Sequence, residues 1–190
     1  MKRRTAIFGL AATTLPGLAT RALAQAAAAP AEAPAPVSDA LSIANNQKFL
    51  ADYAKQKGVI VRPSGLMFRI IQNGYGKRPQ STDSVTVYYT GKLINGVVFD
   101  GTSPGLPFTT KVGNVVPGWV EALQLMREGD HWQLVIPPNL GYGARSAGDG
   151  LIPPNQDLIF DIKLITTTPA PKRGEKGYVP DPGDKDDQDQ

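Results

Sequence analysis

The chain has 190 residues, of which 41% are hydrophobic and 19% charged, and its formal net charge is +3. The first 24 residues hold four of the 20 Lys and Arg residues and no acid. The remainder therefore carries 16 bases against 17 acids, which excludes a dominant nucleic-acid-binding surface. The absence of cysteine excludes disulfides, thiolate metal sites and cysteine nucleophiles, and one histidine is too few for a histidine metal centre.

Residues 1–24 have the features of an export signal peptide. Lys2-Arg3-Arg4 precedes an apolar stretch over 6–20, and Ala22-Leu23-Ala24 supplies a small-x-small cleavage site. The apolar stretch is too short to cross a bilayer, so we expect no membrane span after processing. The paired arginines favour the twin-arginine route and a periplasmic location. The alternative is an amphipathic first helix of the folded domain.

The folded core is predicted to have a flanking segment on each side. Residues 25–37 contain seven alanines and three prolines, a composition typical of a linker. Residues 38–63 are predicted to form a helical arm, because apolar side chains recur there at helical spacing. Such a helix is marginal alone, so it must pack on the main domain or on a second copy, giving a monomer or a weak dimer. Residues 168–190 are predicted to be a disordered tail.

Residues 64–167 change to strand patterns. Val85, Val87 and Tyr89 alternate with polar or outward positions, as in a half-buried strand. Asn95-Gly96 lies between apolar runs and predicts a hairpin, since both turn positions favour positive φ. A short helix is expected after Pro117-Gly118. We therefore predict an α+β fold in which a strongly twisted antiparallel sheet of about five strands wraps around one short helix.

Four runs in this region carry a family resemblance: VTVYYTGKLINGVVFDGT, PFTTKVGNVVPGWVEAL, GDHWQLVIPPNLGYGA and LIPPNQDLIFDIKL. Together they resemble the FKBP-type peptidyl-prolyl cis-trans isomerases over about 64–167. The preceding NQKFLADYAKQKGVIVRPSGLMFRII resembles the lead-in of exported bacterial members of the macrophage infectivity potentiator type.

The resemblance implies prolyl isomerisation without cofactor or metal. The implied partners are proline-containing peptides, unfolded exported proteins and macrolide inhibitors. The family pattern places catalytic roles on Phe99, Asp100, Trp119 and Tyr142. It places substrate contacts on Tyr89, Phe108, Val115, Val116, Ile152 and Phe160, with the backbone N–H of Ile152 available to hold the ligand chain.

Alternative interpretations remain for these residues. The aromatic side chains carry large hydrophobic area and could serve only as core. Asp100 could simply begin a turn, and in the pocket its partner would be Tyr142, Tyr89 or water, because residues 101–107 contain no arginine. His131 is expected at a solvated sheet position. The main rival function is a binding module, a chaperone or adaptor that holds peptides with little turnover.

Overall fold

A computed structural model describes residues 39–177. The predicted signal peptide, the linker and most of the predicted tail lie outside these residues. Within residues 39–177 there are two helices, α1 (Ile43–Tyr53) and α2 (Pro117–Leu125), and three short 3-10 turns. Among the described residues no helix is both long enough and apolar enough to span a membrane.

One antiparallel sheet forms the body of the domain, so the predicted fold class is confirmed. Its spatial order is β1-β2-β6-β7-β3-β4, and β5 pairs with the first half of β3 along the edge whose second half pairs with β4. The strands are β1 (Val59–Val61), β2 (Met67–Gln72), β3 (Ser84–Leu93), β4 (Val98–Gly101), β5 (Phe108–Lys111), β6 (His131–Ile136) and β7 (Leu158–Thr168).

The sheet has seven strands where the sequence predicted about five. One additional strand, β1, falls in the predicted helical arm, because α1 ends at Tyr53 and the chain then turns at Gly58, which has φ +81°. The β-branched run Val59-Ile60-Val61 suits an extended backbone and pairs with β2. The arm is therefore part helix and part edge strand.

The Asn95-Gly96 turn occurs where it was predicted, between β3 and β4. The Leu93 N–H donates to the Val97 carbonyl at 2.9 Å, and the Gly96 N–H donates to the Leu93 carbonyl at 2.9 Å. Of the two turn residues, Gly96 has a positive φ of +86° and Asn95 does not. The expectation that both would have a positive φ is therefore wrong.

The main core lies between the sheet and α2. Val85 and Val87 of β3 are buried with Trp119, Ala122 and Leu123 of α2, in the alternation that the sequence predicted. Val116 precedes α2 and Pro117 occupies its first turn, where a missing N–H costs nothing. This packing sets the first turn of α2 against the concave face of the sheet.

The arm packs on the same chain. Tyr53 is buried with Met67, Val135 and Ile159 in a second, smaller cluster on the other side of the sheet. At the start of α1, the buried Asn46 amide donates to the Gln156 side chain at 3.1 Å, and its oxygen accepts the backbone N–H of Asp157 at 2.8 Å. The sequence left open whether the arm packs on the main domain or on a second copy, and in the structure it packs on the main domain.

Candidate functional site

A cavity of about 270 Å³ lies between the sheet and the first turn of α2. Strands β3, β4, β5 and β7 each contribute a side chain, so no short segment could form the cavity alone. Eight of the ten predicted site residues line it, together with one that was not predicted. The lining residues are Tyr89, Asp100, Phe108, Asn114, Val115, Val116, Trp119, Tyr142 and Phe160.

The floor and walls of the cavity are an edge-to-face aromatic cluster. The Trp119 ring lies 5.1 Å from Tyr89 and 5.2 Å from Phe160 between centroids, with interplanar angles of 87° and 86°. Tyr89 also meets Phe108 at 5.8 Å and 64°. Such geometry sets the positive edge of one ring against the negative face of another, which stabilises each pair by about 0.5–1.5 kcal/mol beyond area burial. The rings are therefore held in fixed orientations.

Gly91 allows the rings of Phe99 and Phe160 to meet. It lies opposite Phe160 in the β3–β7 register and opposite Asp100 in the β3–β4 register. A Cβ at this position would lie 2.7 Å from Phe160 Cε1 and 2.7 Å from Phe99 Cε2. Those two rings are in edge-to-face contact at 5.5 Å. A glycine inside a strand is thus required by close approach rather than by a turn.

The rim carries a carboxylate and two phenols. The Tyr89 hydroxyl donates to Asp100 Oδ2 at 2.6 Å, and the Gly101 N–H donates to Oδ1 at 2.8 Å. Among the sequence's options for the Asp100 partner, Tyr89 is the one observed. Burial, with the hydrogen bond and negative charge of Asp100, raises the pKa of Tyr89 well above its usual value. Burial and the same charge also raise the pKa of Tyr142, so both phenols keep their protons at neutral pH.

Two predicted residues do not line the cavity. Phe99 supports it from behind, through its contact with Phe160. Ile152 is buried at 2% exposure, and its N–H donates to the Ala147 carbonyl at 3.0 Å while its own carbonyl accepts from the Ala147 N–H. This pair of bonds closes the loop over 147–152. The N–H predicted to hold a ligand chain is therefore engaged inside the protein.

Two contributors were missed by the sequence interpretation. Asn114 lines the cavity immediately before Val115, and its place in the NVVPGW run was the available signal. Gly91 could have been noticed because a glycine in an alternating strand often marks close approach of other groups. His131 lies outside the cavity, half-buried in β6 with its Nε2 against Asp161 Oδ1, in agreement with a sheet position.

Comparison with known proteins identifies related chains. The family model described as FKBP-type peptidyl-prolyl cis-trans isomerase matches residues 76–165, a range that contains every predicted site residue. The chain is 48% identical over 128 residues to the outer membrane protein MIP of Legionella longbeachae, covering 67% of this chain and 54% of that protein. It is 48% identical over 123 residues to the FKBP-type 22 kDa peptidyl-prolyl cis-trans isomerase of Escherichia coli K12, covering 64% and 59%.

A solved structure has the same architecture. The crystal structure of a peptidyl-prolyl cis-trans isomerase from Pseudomonas syringae superposes with a TM-score of 0.63 at 34% identity, covering 67% of this chain and 93% of that one. The chain spans between half and three fifths of the length of the two curated relatives above.

Proposed function

The chain belongs to the FKBP-type peptidyl-prolyl cis-trans isomerase family, and from that premise we propose that it catalyses rotation about Xaa-Pro peptide bonds in the aromatic cavity. The observation that carries the proposal is the buried floor: Trp119 and Phe160 are each 4% exposed and present aromatic surface to the cavity. A volume of about 270 Å³ accommodates a prolyl ring. A macrolide would place only part of itself inside, because cavities for drug-sized ligands begin at about 300 Å³.

The chemistry needs an environment rather than a reagent. Rotation about the prolyl bond is opposed by loss of amide resonance, with a barrier of about 18–20 kcal/mol for peptide bonds. The twisted amide has less charge separation than the planar amide, so it loses less hydration on entering an apolar site. The aromatic surface of Tyr89, Phe108 and Phe160 therefore favours the transition state over the ground state, which is the condition for catalysis.

The polar rim would hold the peptide while the bond turns. Tyr142 lines the cavity and is 38% exposed, and its phenol, protonated at neutral pH, can donate a hydrogen bond to a substrate carbonyl. Asp100 acts as a positioning residue by accepting from the Tyr89 hydroxyl, which fixes that ring as a wall. Bonds that are organised before the substrate arrives cost no rearrangement during the reaction.

A proline-peptide assay on the chain without residues 1–24 tests the proposal. We expect acceleration over the uncatalysed reaction, and a loss of about threefold to tenfold in kcat/KM for Tyr142→Phe, the value of one neutral hydrogen bond. Trp119→Leu and Asp100→Val should lose at least as much. Tyr75→Phe is the matched control, because Tyr75 is 92% exposed and lies outside the cavity. Folded protein with no acceleration, or equal rates for Tyr142→Phe and wild type, would contradict the proposal.

A second function, peptide holding with little turnover, is favoured by exposed apolar side chains on the segments that carry cavity residues. Leu106, two residues before Phe108, is 71% exposed, and Leu151, in the loop after Tyr142, is 56% exposed. Such side chains suit contact with unfolded exported proteins. Suppression of aggregation that survives Trp119→Leu but falls with Leu106→Ser and Leu151→Ser would support this function. Suppression unaffected by the two serine variants would reject it.

We propose export from a bacterial cytoplasm through the signal peptide in 1–24, supported by the basic start and the Ala22-Leu23-Ala24 site. Cell fractionation with N-terminal sequencing should find a periplasmic chain beginning at Gln25. Replacing Arg3 and Arg4 by lysine should block export only if the twin-arginine route is used. A chain that keeps Met1 in the cytoplasm would refute export.

We also propose that the processed chain is a monomer. Tyr53 of α1 is 4% exposed against its own sheet, so this part of the helix is already covered within the chain. The exposed apolar side chains of the arm, Ile43, Ile60 and Val61, are divided between α1 and β1. Light scattering should give the monomer mass with and without residues 38–60. A dimer that dissociates when the arm is removed would overturn this assignment.

A further inference from the structure

A second and larger depression, of about 580 Å³, lies near the opposite end of α2 from the aromatic cavity. It contains none of the predicted site residues. Its walls come from β1, β2 and the loop that follows β2, and they include exposed apolar groups: Ile60 at 44%, Ile70 at 37% and Tyr75 at 92% exposure. We call it the arginine cleft, after its three guanidinium groups at Arg62, Arg78 and Arg127.

Two of the three arginines have no carboxylate partner among residues 39–177. Arg62 Nε pairs with Glu121 Oε1 at 3.2 Å. The Arg127 guanidinium donates only to the Gly76 carbonyl at 3.3 Å, and no described carboxylate lies within ion-pair distance of it or of Arg78. The one acid lining the cleft, Asp130, accepts from backbone N–H groups. The cleft thus combines apolar surface with a net positive charge, from three arginines against one aspartate in its lining.

The remaining C-terminal segment has the complementary composition. Residues 178–190 read YVPDPGDKDDQDQ, with five aspartates and one lysine, and begin with an aromatic, an aliphatic and a proline residue. Those first three residues match the apolar part of the cleft, and the aspartates match its arginines.

The described chain ends beside the cleft. The Thr167 N–H donates to Glu128, whose own backbone pairs with Gly76 and Lys77 in the loop that carries Tyr75 and Arg78. The Ala170 N–H donates to Asp83 Oδ1 at 3.1 Å. A Cβ on Gly177 would lie 3.7 Å from Pro171, so the last described residue stays close to this point. Thirteen further residues reach about 40 Å when extended.

We propose that the acidic segment 178–190 of this chain binds in the arginine cleft, as an intramolecular electrostatic clasp. Attachment at residue 177 gives the segment an effective concentration on the order of millimolar. A millimolar intrinsic affinity is then sufficient for substantial occupancy. The binding depends on ionic strength, because exposed charges are screened within about 10 Å at 0.1 M salt. The proposal is independent of the isomerase function.

The test uses the chain ended at Gly177 and a synthetic, fluorescently labelled peptide of residues 178–190. Fluorescence anisotropy should show binding at 20 mM salt that weakens at least fivefold at 300 mM. Arg78→Glu and Arg127→Glu should each weaken it about tenfold, since a favourable pair becomes a repulsive one. Lys163→Glu is the matched control, because Lys163 lines a different depression beside His131 and Asp161. The longer chain ending at Gln190 should bind the peptide more weakly, because its own segment competes.

Each other outcome overturns the proposal. No binding up to 5 mM peptide excludes an occupancy that tethering could produce. Equal weakening by Lys163→Glu means diffuse attraction to the whole surface. Equal binding of a scrambled peptide makes the cleft a general acidic-peptide site for another protein. Equal affinity of the two chain lengths means that the chain's own segment does not occupy the cleft.

Discussion

Asp157 is a fully buried carboxyl group at 0% exposure, immediately before β7, and neither of its oxygens has a hydrogen-bond partner among the described residues. Burial raises its pKa from 3.8 to about 7. Replacing Asp157 by Asn removes the ionisation with almost no change in volume. We predict that this variant becomes progressively more stable, relative to the natural chain, as the pH rises from 4 to 8.

The magnitude follows from linkage. Between pH 3.8 and 7 the folded state binds more protons than the unfolded state, so this group makes the free energy of unfolding fall as the pH rises. A pKa raised from 3.8 to about 7 lowers the free energy of unfolding by roughly 4 kcal/mol above pH 7. About 1.5 kcal/mol of this loss is already present at pH 5. A buried Asn amide has its own cost of about 1–3 kcal/mol, but that cost does not vary with pH.

Urea unfolding followed by tryptophan fluorescence at pH 5, 6, 7 and 8 measures the effect. The free energy of unfolding of Asp157→Asn, relative to that of the natural chain, should rise by about 2–3 kcal/mol between pH 5 and pH 8. Asp149→Asn is the matched control, because it makes the same substitution at an exposed loop position. Parallel pH profiles for Asp157→Asn and the natural chain would refute the assignment of Asp157 as an unpaired buried acid.

Three further results are expected. Gly91→Ala should lower kcat/KM and cost about 1–3 kcal/mol of stability, because its Cβ would displace the Phe99 and Phe160 rings; Gly113→Ala, whose Cβ meets nothing closer than 3.4 Å, should do neither. Asn46→Ala should cost about 2–3 kcal/mol and expose α1 to protease, because it leaves the Asp157 N–H unpaired, and unchanged protection would contradict this. Isomerase activity should be flat from pH 6 to 9, because the phenols have raised pKa values; a fall near pH 8 would mean that another group titrates.

Local patterns predicted most of the fold. The alternation in β3, the Asn95-Gly96 turn and the short helix after Pro117 were all visible in the sequence and are all present. Each is encoded within a few residues, by side-chain period or by turn chemistry. The edge strand β1 was missed because three β-branched residues after a helix carry no alternation, and pairing with β2 decides their conformation.

Contacts across the chain could not be read in the same way. Asn46 and Asp157 are 111 residues apart, and neither residue indicates alone that the Asn46 side-chain oxygen accepts the Asp157 backbone N–H. The Ile152 prediction followed the family pattern, whereas the antiparallel bridge between Ala147 and Ile152 decides what that backbone N–H does here. Gly91 needed knowledge of two rings brought in by β4 and β7. In each case the residue is visible in the sequence, but the group that it contacts is brought to it by a distant part of the chain.

The arm packs against Ile159 of β7, whereas the neighbouring Phe160 belongs to the main core, and the arm also bonds to Asp157 just before the strand. From Leu158 onward, β7 is flanked on both sides by β3 and β6, so Phe160 is held by two hydrogen-bonded ladders. Asp157 precedes those ladders, and its N–H bonds to the Asn46 side chain of the arm. Ionisation of Asp157 therefore acts first on the junction with α1. The aromatic floor is protected because opening it would require both ladders to break, and local opening in proteins follows the weaker contacts.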